Sequence, residues 1–406
     1  MLTTLFLDLN SYFASAEQQL RPALRGRPVG VVPVMAETTC CIAASYEAKA
    51  HGVKTGTRVS EARRLCPAIT FVKARPETYV DLHHQVIRAV ERCVPVAAIH
   101  SIDELHCTLL GREPEPERAV ELARQIKASI AAHVGEQLRS SIGIAPNRFL
   151  AKVGTELEKP DGLVVIERKD LPGKLLGLSL RDLPGIGPRM HQRLQARGVD
   201  SVERLCALSE GEMQAIWQSV VGRTWFRWLR GEEVWEPPSR RRSIGHQHVL
   251  PPERRTQEGG RGVLVRLISK AATRLRSLGY WARQMTVGVM CLDDRTWHRT
   301  VKLPLTQDTM ELLGAFGSIW PAHAARVLPG TPLRVSITLH ELEASASVAP
   351  PLFPGAQKGM QLARTMDAIN TKFGRAAVYP GSMHDSRNAA PARIAFKSIP
   401  DFDAAG

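Results

Sequence analysis

Ser101-Ile102-Asp103-Glu104-Leu105-His106 sets two adjacent carboxylates in the middle of an apolar run that begins at Val94. Charge is costly to bury unless something compensates it, so acidic neighbours inside a strand-like segment need either water or a cation. The pair reads as metal ligands. A second apolar run, Leu5-Phe6-Leu7, ends in Asp8 and adds a third carboxylate. Successive residues of a regular strand point to opposite faces, so Asp103 and Glu104 serve one metal cluster only where the strand bends, twists strongly or ends. On a straight strand Glu104 would turn away from Asp8 and become peripheral.

Outward from these runs, hydrophobic periodicity alternates between strand and helix. Residues 2–9 read as a strand and 11–24 as a helix, with Ser11 as N-cap and Phe13, Ala16 and Leu20 at helical spacing. The join is Asp8-Leu9-Asn10-Ser11-Tyr12-Phe13. A strand that ends in an acid and turns at once into a helix puts helix N-terminal N–H groups beside that acid, a cradle for a metal-held phosphate. The same string also fits an ordinary capped turn. Strands at 28–34 and 39–44 lead into Ser45-Tyr46-Glu47-Ala48-Lys49-Ala50-His51-Gly52. There Tyr46 and Lys49 share a helical face and offer a phenol and an ammonium to phosphate oxygens. A short helix (60–66) and a strand (69–72) follow, then an amphipathic helix (79–92). Residues 94–110 form a hairpin or two short strands around the acidic pair, before a helix (115–131), a strand (140–144), a helix (147–157) and a strand (163–166). With the insertion between Ser11 and about Pro76 set aside, the order is β-α-β-β-α-β, the split ferredoxin-like arrangement.

Leu183-Pro184-Gly185-Ile186-Gly187-Pro188, followed by Arg189, Met190, Leu194 and Gly198-Val199, carries a helix-hairpin-helix signal. Two glycines two apart let the backbone turn tightly and present N–H groups to a DNA phosphate; a Gly-rich helix–helix turn is the plainer alternative. Pro237-Pro238 and then Arg240-Arg241-Arg242 mark a linker. Beyond it come a strand (244–250) and a helix (262–278), with Leu264, Leu267, Ile268, Ala271, Leu275 and Leu278 inward and Arg266, Lys270 and Arg274 outward. Strands at 285–292 and 297–303, a helix (309–319) and a strand through Leu333 to Leu339 repeat the β-α-β-β-α-β order without repeating the sequence. After about Glu343 the pattern weakens into Ala, Pro, Ser and Gly.

At 406 residues and 44% hydrophobic, the chain has room for two or more domains. No apolar run approaches the roughly 20 residues of a membrane span, and the start lacks the basic stretch of a signal peptide. Seven scattered cysteines without a CxxC pair indicate neither a disulfide framework nor a zinc site and suit a reducing cytoplasm. A net charge of +14 favours polyanionic partners, nucleic acid before membrane.

The motifs quoted, with Ser141-Ile142-Gly143-Ile144-Ala145-Pro146-Asn147, Leu150-Ala151-Lys152, Lys159-Pro160-Asp161-Gly162 and Ser243-Ile244-Gly245, occur in the order found in the Y-family translesion DNA polymerases, and residues 1 to about 345 resemble that family. The surroundings of Asn10-Ser11 and His106-Cys107 resemble UmuC proteins more closely, and Lys159-Pro160-Asp161-Gly162 the DinB proteins. The resemblance implies an α+β right hand: a ferredoxin-like βαββαβ palm (1–10 and 76–166), small fingers (11–75), a helix-hairpin-helix thumb (167–231), a linker (232–242), a separate βαββαβ little finger (243–345) and a tail (346–406). It implies two-metal transfer of dNTPs to a primer 3′-hydroxyl, with two Mg2+ held by Asp8, Asp103, Glu104 and the Leu9 carbonyl. By position, Tyr46, Lys49 and Lys159 match the triphosphate grip, completed by the N–H groups of Tyr12 and Phe13, and Phe13 matches the steric gate against a ribose 2′-hydroxyl. Gly185, Gly187, Arg189, Arg240, Arg241 and Arg242 are the expected contacts to primer-template DNA.

Departures accompany the matches. Lys49 stands where many members have Arg, and a point charge lacks bidentate geometry. Ala43 stands where a Thr often helps hold the phosphates. His106 and Thr108 replace an aromatic residue and an acid. Pro351-Leu352-Phe353 resembles a sliding-clamp peptide without its leading Gln. With every segment allotted, no stretch is left for a proofreading exonuclease, so low fidelity is expected. Two rival readings are a non-catalytic scaffold on DNA, against which the three retained carboxylates stand, and a nucleotidyl cyclase, which has no use for the thumb or the basic C-terminal region.

Overall fold

A computed structural model describes residues 1–235, 241–320, 330–349, 354–374, 376–390 and 399. Arg240 and the Pro351-Leu352-Phe353 segment lie outside the described residues. The chain divides into two compact units, whose main boundary falls between Pro237 and Pro238.

The first unit contains β1 (Thr4–Leu9), α1 (Tyr12–Leu20), β2 (Val29–Val32), β3 (Ala43–Ala44), α2 (Tyr46–Ala50), α3 (Val59–Leu65), β4 (Thr70–Lys73), α4 (Pro76–Glu91), β5 (Ala98–Ile99), β6 (Glu104–Thr108), α5 (Pro116–His133), β7 (Ser140–Ala145), α6 (Arg148–Leu157), β8 (Leu163–Val165), α7 (Pro188–Gln195), α8 (Val202–Ala207), α9 (Glu210–Trp217) and α10 (Val221–Trp228). Its main sheet has the order β5-β6-β1-β7-β8. β1 runs antiparallel to both β6 and β7, and all six of its residues are buried, as befits a central strand covered on both faces. Strands β5-β6-β1-β7 with α4 and α5 reproduce the split βαββαβ order. The sequence reading had one helix–strand pair too many for that motif: α6 and β8 extend it by a fifth strand, parallel to β7. Close approach of α6 to β7 depends on Gly143, where a Cβ would stand 2.0 Å from the Ala151 carbonyl oxygen.

Helix α1 stops at Leu20, short of the expected residue 24. Arg21 precedes Pro22, which disfavours the helical region, and it is extended at φ −127° and ψ 90°. Ser11 is no N-cap of the expected kind either, since it lies in the left-handed region (φ 49°, ψ 40°) and its side chain makes no capping bond. Between α1 and α4, a three-stranded sheet β3-β2-β4 closes over a small core that includes Val32, Ala48, Val59 and Ile69. Helices α7–α10 pack around Leu194, Leu205, Met213 and Trp225, and Phe149 of α6 joins them by stacking on Trp228 at 5.2 Å. In the turn before α7 only Gly185 needs glycine's freedom, at φ +102°; Gly187 is an ordinary extended N-cap at φ −80°.

The second unit contains β9 (Ser243–Val249), α11 (Gln257–Ser277), β10 (Tyr280–Cys291), β11 (Thr296–Thr306), α12 (Thr309–Ile319), β12 (Pro332–Ala344) and α13 (Pro354–Phe373). The element order is again β-α-β-β-α-β, yet the sheet order is β11-β10-β12-β9, with β9 at an edge rather than in the centre. One face of this sheet is packed by α11 and α12 through Leu264, Leu267, Ile268, Leu312 and Phe316. Leu278, expected inward, is 39% exposed because α11 has already ended at Ser277. The supposedly outward Lys270 donates to the Ala390 carbonyl at 3.0 Å, and Arg266, also expected outward, lies 3.6 Å from the sulfur of the buried Met383, so residues after α13 cover that side. α13 is tied down by Asp367, which takes Arg276 at 2.6 and 2.9 Å.

Burial, with Lys270 and Arg274 nearby, pushes His246 of β9 down to about 4. The folded unit therefore keeps this imidazole neutral while an unfolded chain takes up its proton near pH 6.5. The stabilisation is fully present above about pH 6.5 and falls as pH drops towards 4. Thermal melts between pH 7 and pH 5 are expected to show this slope, and His246→Leu to flatten it.

Candidate active site

Asp8 sits near the end of β1, where the antiparallel register sets it opposite Glu104 on one side and Ser141 on the other. Directly opposed residues project to the same face, with Cβ atoms about 5 Å apart. The geometric difficulty raised by two adjacent acids is resolved by where β6 begins: Glu104 is its first residue, and Asp103 lies in the bend before it. Period-two alternation therefore does not apply to Asp103. A hydrogen bond from the Leu9 N–H to the Asp103 carbonyl, 2.8 Å, holds that bend against the end of β1. The bend is supported from behind by His83, whose Nδ1 lies 2.7 Å from the Ile102 carbonyl oxygen.

Two lysines meet these carboxylates. Lys152 of α6 donates to Asp8, lies 3.1 Å from Glu104 Oε1 and 2.9 Å from Glu156 Oε1. Lys159 reaches Asp8 Oδ2 at 3.1 Å and Glu156 Oε1 at 2.8 Å. Burial works to lower the Lys152 ammonium, but Asp8, Glu156 and Glu104 together hold it well above the usual lysine range. Asp103 is turned instead to the Ser101 hydroxyl, which donates to it. Burial pushes the Asp103 carboxyl up to about 6; the Ser101 bond opposes this, and the charges of Asp8 and Glu104 add to it.

Among the described residues, no three carboxylate, imidazole or thiolate side chains stand ready-made around one metal position. The reason is visible in the contacts: Lys152 draws Asp8 and Glu104, and Ser101 draws Asp103. The donor set nevertheless fits a hard divalent cation, because all three side chains offer oxygen only and two of them already share one positive charge.

Tyr46, Lys49 and Lys159 gather beside Asp8. Burial first, then Asp8 and Glu156, push the Tyr46 phenol up to about 12. The Lys49 ammonium is lowered by burial and by Lys159, and it lies 4.3 Å from the centre of the Tyr46 ring. Tyr12 and Phe13 open α1, where helix N–H groups have no partner within the helix. The loop carrying Lys159 is pinned by Asn10, whose Oδ1 accepts from the Asp161 N–H at 2.7 Å while its Nδ2 donates to Ser141 Oγ at 3.0 Å.

Sequence reasoning missed the support behind Phe13. Its ring stacks on Tyr79 with centroids 4.7 Å apart, the Tyr79 hydroxyl donates to Glu17 at 2.7 Å, and Arg75 grips the same carboxylate at 2.9 and 2.7 Å. Glu17 is fully buried, so Glu17→Ala strands the buried Tyr79 hydroxyl, while the Arg75 guanidinium, 35% exposed, turns to water. A loss of about 2 kcal/mol is expected, read as a lower urea midpoint. The signal was a lone Glu on the buried side of α1, beside Ala16. Glu156 was missed as well, although Lys152, Glu156 and Lys159 follow each other at helical spacing.

A cavity of about 800 Å³ is bordered by Glu104, Lys152 and Glu156 on one side and by the turn from Leu183 to Gly187 on the other. Gly185, Gly187 and Arg189 are exposed, so this turn's backbone is open to a ligand beside the carboxylates. In the second unit, Arg241 and Arg242 are exposed. The sheet face away from α11 presents Thr286, Thr300, Lys302, Thr338 and His340, a polar and basic surface that the strand alternation implied but that was not singled out.

Comparison with known proteins agrees with this geometry. The impB/mucB/samB family profile matches residues 7–156, and its C-terminal domain profile matches residues 241–350. DNA polymerase IV of Moorella thermoacetica is 34% identical over 391 residues, 92% of this chain and 94% of that protein. DNA polymerase IV 2 of Mesorhizobium japonicum is 31% identical, over 98% of this chain and 96% of its own length. Among solved structures, a Y-family DNA polymerase chimera superposes with a TM-score of 0.70 at 22% identity, covering 84% of this chain and 99% of its own. Profiles over both units and relatives matched along almost their whole length place the chain in the impB/mucB/samB family, the DinB/UmuC-like Y-family DNA polymerases.

Proposed function

We infer that this chain is a DNA-directed DNA polymerase of the translesion class, adding deoxynucleotides to a primer 3′-hydroxyl on a damaged template. One observation carries the reading: β1, the bend before β6 and the loop after α6 bring Asp8, Asp103, Glu104 and Lys159 to one end of one sheet. Asp8, Asp103, Glu104 and the Leu9 carbonyl would hold two Mg2+, which when bound neutralise the attacking and leaving oxygens of an in-line displacement. Lys159, Lys49 and Tyr46 grip the triphosphate, and the N–H groups of Tyr12 and Phe13 close over it. The Phe13 ring, backed by Tyr79, fills the space of a ribose 2′-hydroxyl. Gly185, Gly187 and Arg189 take backbone phosphates of the primer-template, and Arg241, Arg242 and Arg240 add sequence-independent charge. In this reading residues 1–10 and 76–166 are the palm, 11–75 the fingers, 167–231 the thumb and 243–345 the little finger, working in the cytoplasm. A sliding clamp is the partner for Pro351-Leu352-Phe353. Primer extension with Mg2+ across a panel of damaged templates is the test; a protein that binds primer-template without extending it overturns the reading.

A further inference from the structure

Lys152 lies among the carboxylates without a part in the triphosphate grip. Of the three acids it contacts, Asp8 and Glu104 are the proposed metal ligands and Glu156 is not. A dication between Asp8 and Glu104 needs the oxygens that the ammonium holds, and two such positive centres at one point repel strongly. The Lys152 side chain is only 17% exposed, so it has little water to retreat into. Glu156, four residues on in the same helix, keeps a carboxylate within its reach whatever happens at Asp8.

We propose that Lys152 is an exchangeable internal cation: it spaces and neutralises Asp8 and Glu104, and it withdraws onto Glu156 as a divalent ion enters between them. Lys152 is thus a positioning residue for the metal ligands, and Glu156 sets how readily the site loads. This rests on the metal reading above. Lys159 does not substitute for it, because its ion pairs are with Asp8 and Glu156 and it does not bridge Asp8 to Glu104 as Lys152 does.

The test is titration of the full chain with Mn2+ alone, free ion being read by its electron paramagnetic resonance signal. Lys152→Met removes the competing charge at similar length and is expected to tighten Mn2+ binding about tenfold, the scale of one nearby charge's repulsion. Glu156→Gln removes the place of retreat and is expected to weaken it several-fold. The two effects have opposite signs, and melting curves establish that each variant is folded; Lys152→Gln replaces the Met variant if that one is not. Unchanged or weaker binding in the folded Lys152 variant, or unchanged or tighter binding in Glu156→Gln, overturns the proposal. Asp8→Asn separates this from failure of the metal reading: loss of Mn2+ uptake supports that reading, and uptake that survives Asp8→Asn overturns both.

Discussion

Asp103→Ala lowers the rate of primer extension by about 10³-fold, a loss of roughly 4 kcal/mol of transition-state stabilisation. The magnitude follows from what the carboxylate faces. Asp103 is shielded from water and close enough to Asp8 and Glu104 for burial first and their charges second to raise its pKa, so its ionised form gains from a cation placed beside it. Removing it leaves two acids to hold the cations that would neutralise the charge developing on the displaced pyrophosphate. The fold is expected to survive, because the bond that fastens this bend to β1 runs from the Leu9 N–H to the backbone carbonyl of residue 103. Single-turnover nucleotide incorporation in Mg2+, with circular dichroism to follow the fold, measures both halves of the prediction. A variant that keeps more than about a tenth of the rate removes Asp103 from the ligand set.

Phe13→Ala raises insertion of ribonucleotides relative to deoxynucleotides by about 100-fold, the scale on which a shaped pocket rejects one added hydroxyl. The ring cannot easily swing aside to admit the hydroxyl unaided. Tyr79 stacks against it, and Tyr79 is itself held through Glu17 to Arg75. Removing the ring opens a space that no neighbour is free to refill. Competitive incorporation of paired nucleotides opposite the same template base reads the ratio directly; an unchanged ratio takes Phe13 out of sugar selection.

Much of the first unit was legible because its signals are local. Strand β1 is announced by the apolar run Leu5-Phe6-Leu7, and the turn before α7 by two glycines two apart, of which Gly185 is the one that adopts φ > 0. The grouping of Asp8 with Glu104 came from the family resemblance and not from periodicity, since it depends on a register between strands that lie nearly a hundred residues apart. The strand order of the second unit was equally hidden: one string of elements serves two sheet orders, and the choice rests on long-range packing rather than on periodicity. Site chemistry was read through residue types that stand out, acids in apolar runs and lysines near turns. Glu17 and Glu156 escaped because an acid on a helix ordinarily faces water, and only the packed structure shows that Glu17 does not.

The Glu17 contact has a bearing on how such a chain can drift. Its partners Tyr79 and Arg75 belong to one stretch of chain and Phe13 to another, and the carboxylate both steadies the fold and stiffens the backing of the gate. A loss of 1–2 kcal/mol is enough to change the amount of folded protein in a cell several-fold. With Phe13 as the proposed gate, lineages that lose Glu17 would be thinned by poor abundance before looser sugar choice could spread, so refusal of ribonucleotides would be inherited along with folded yield.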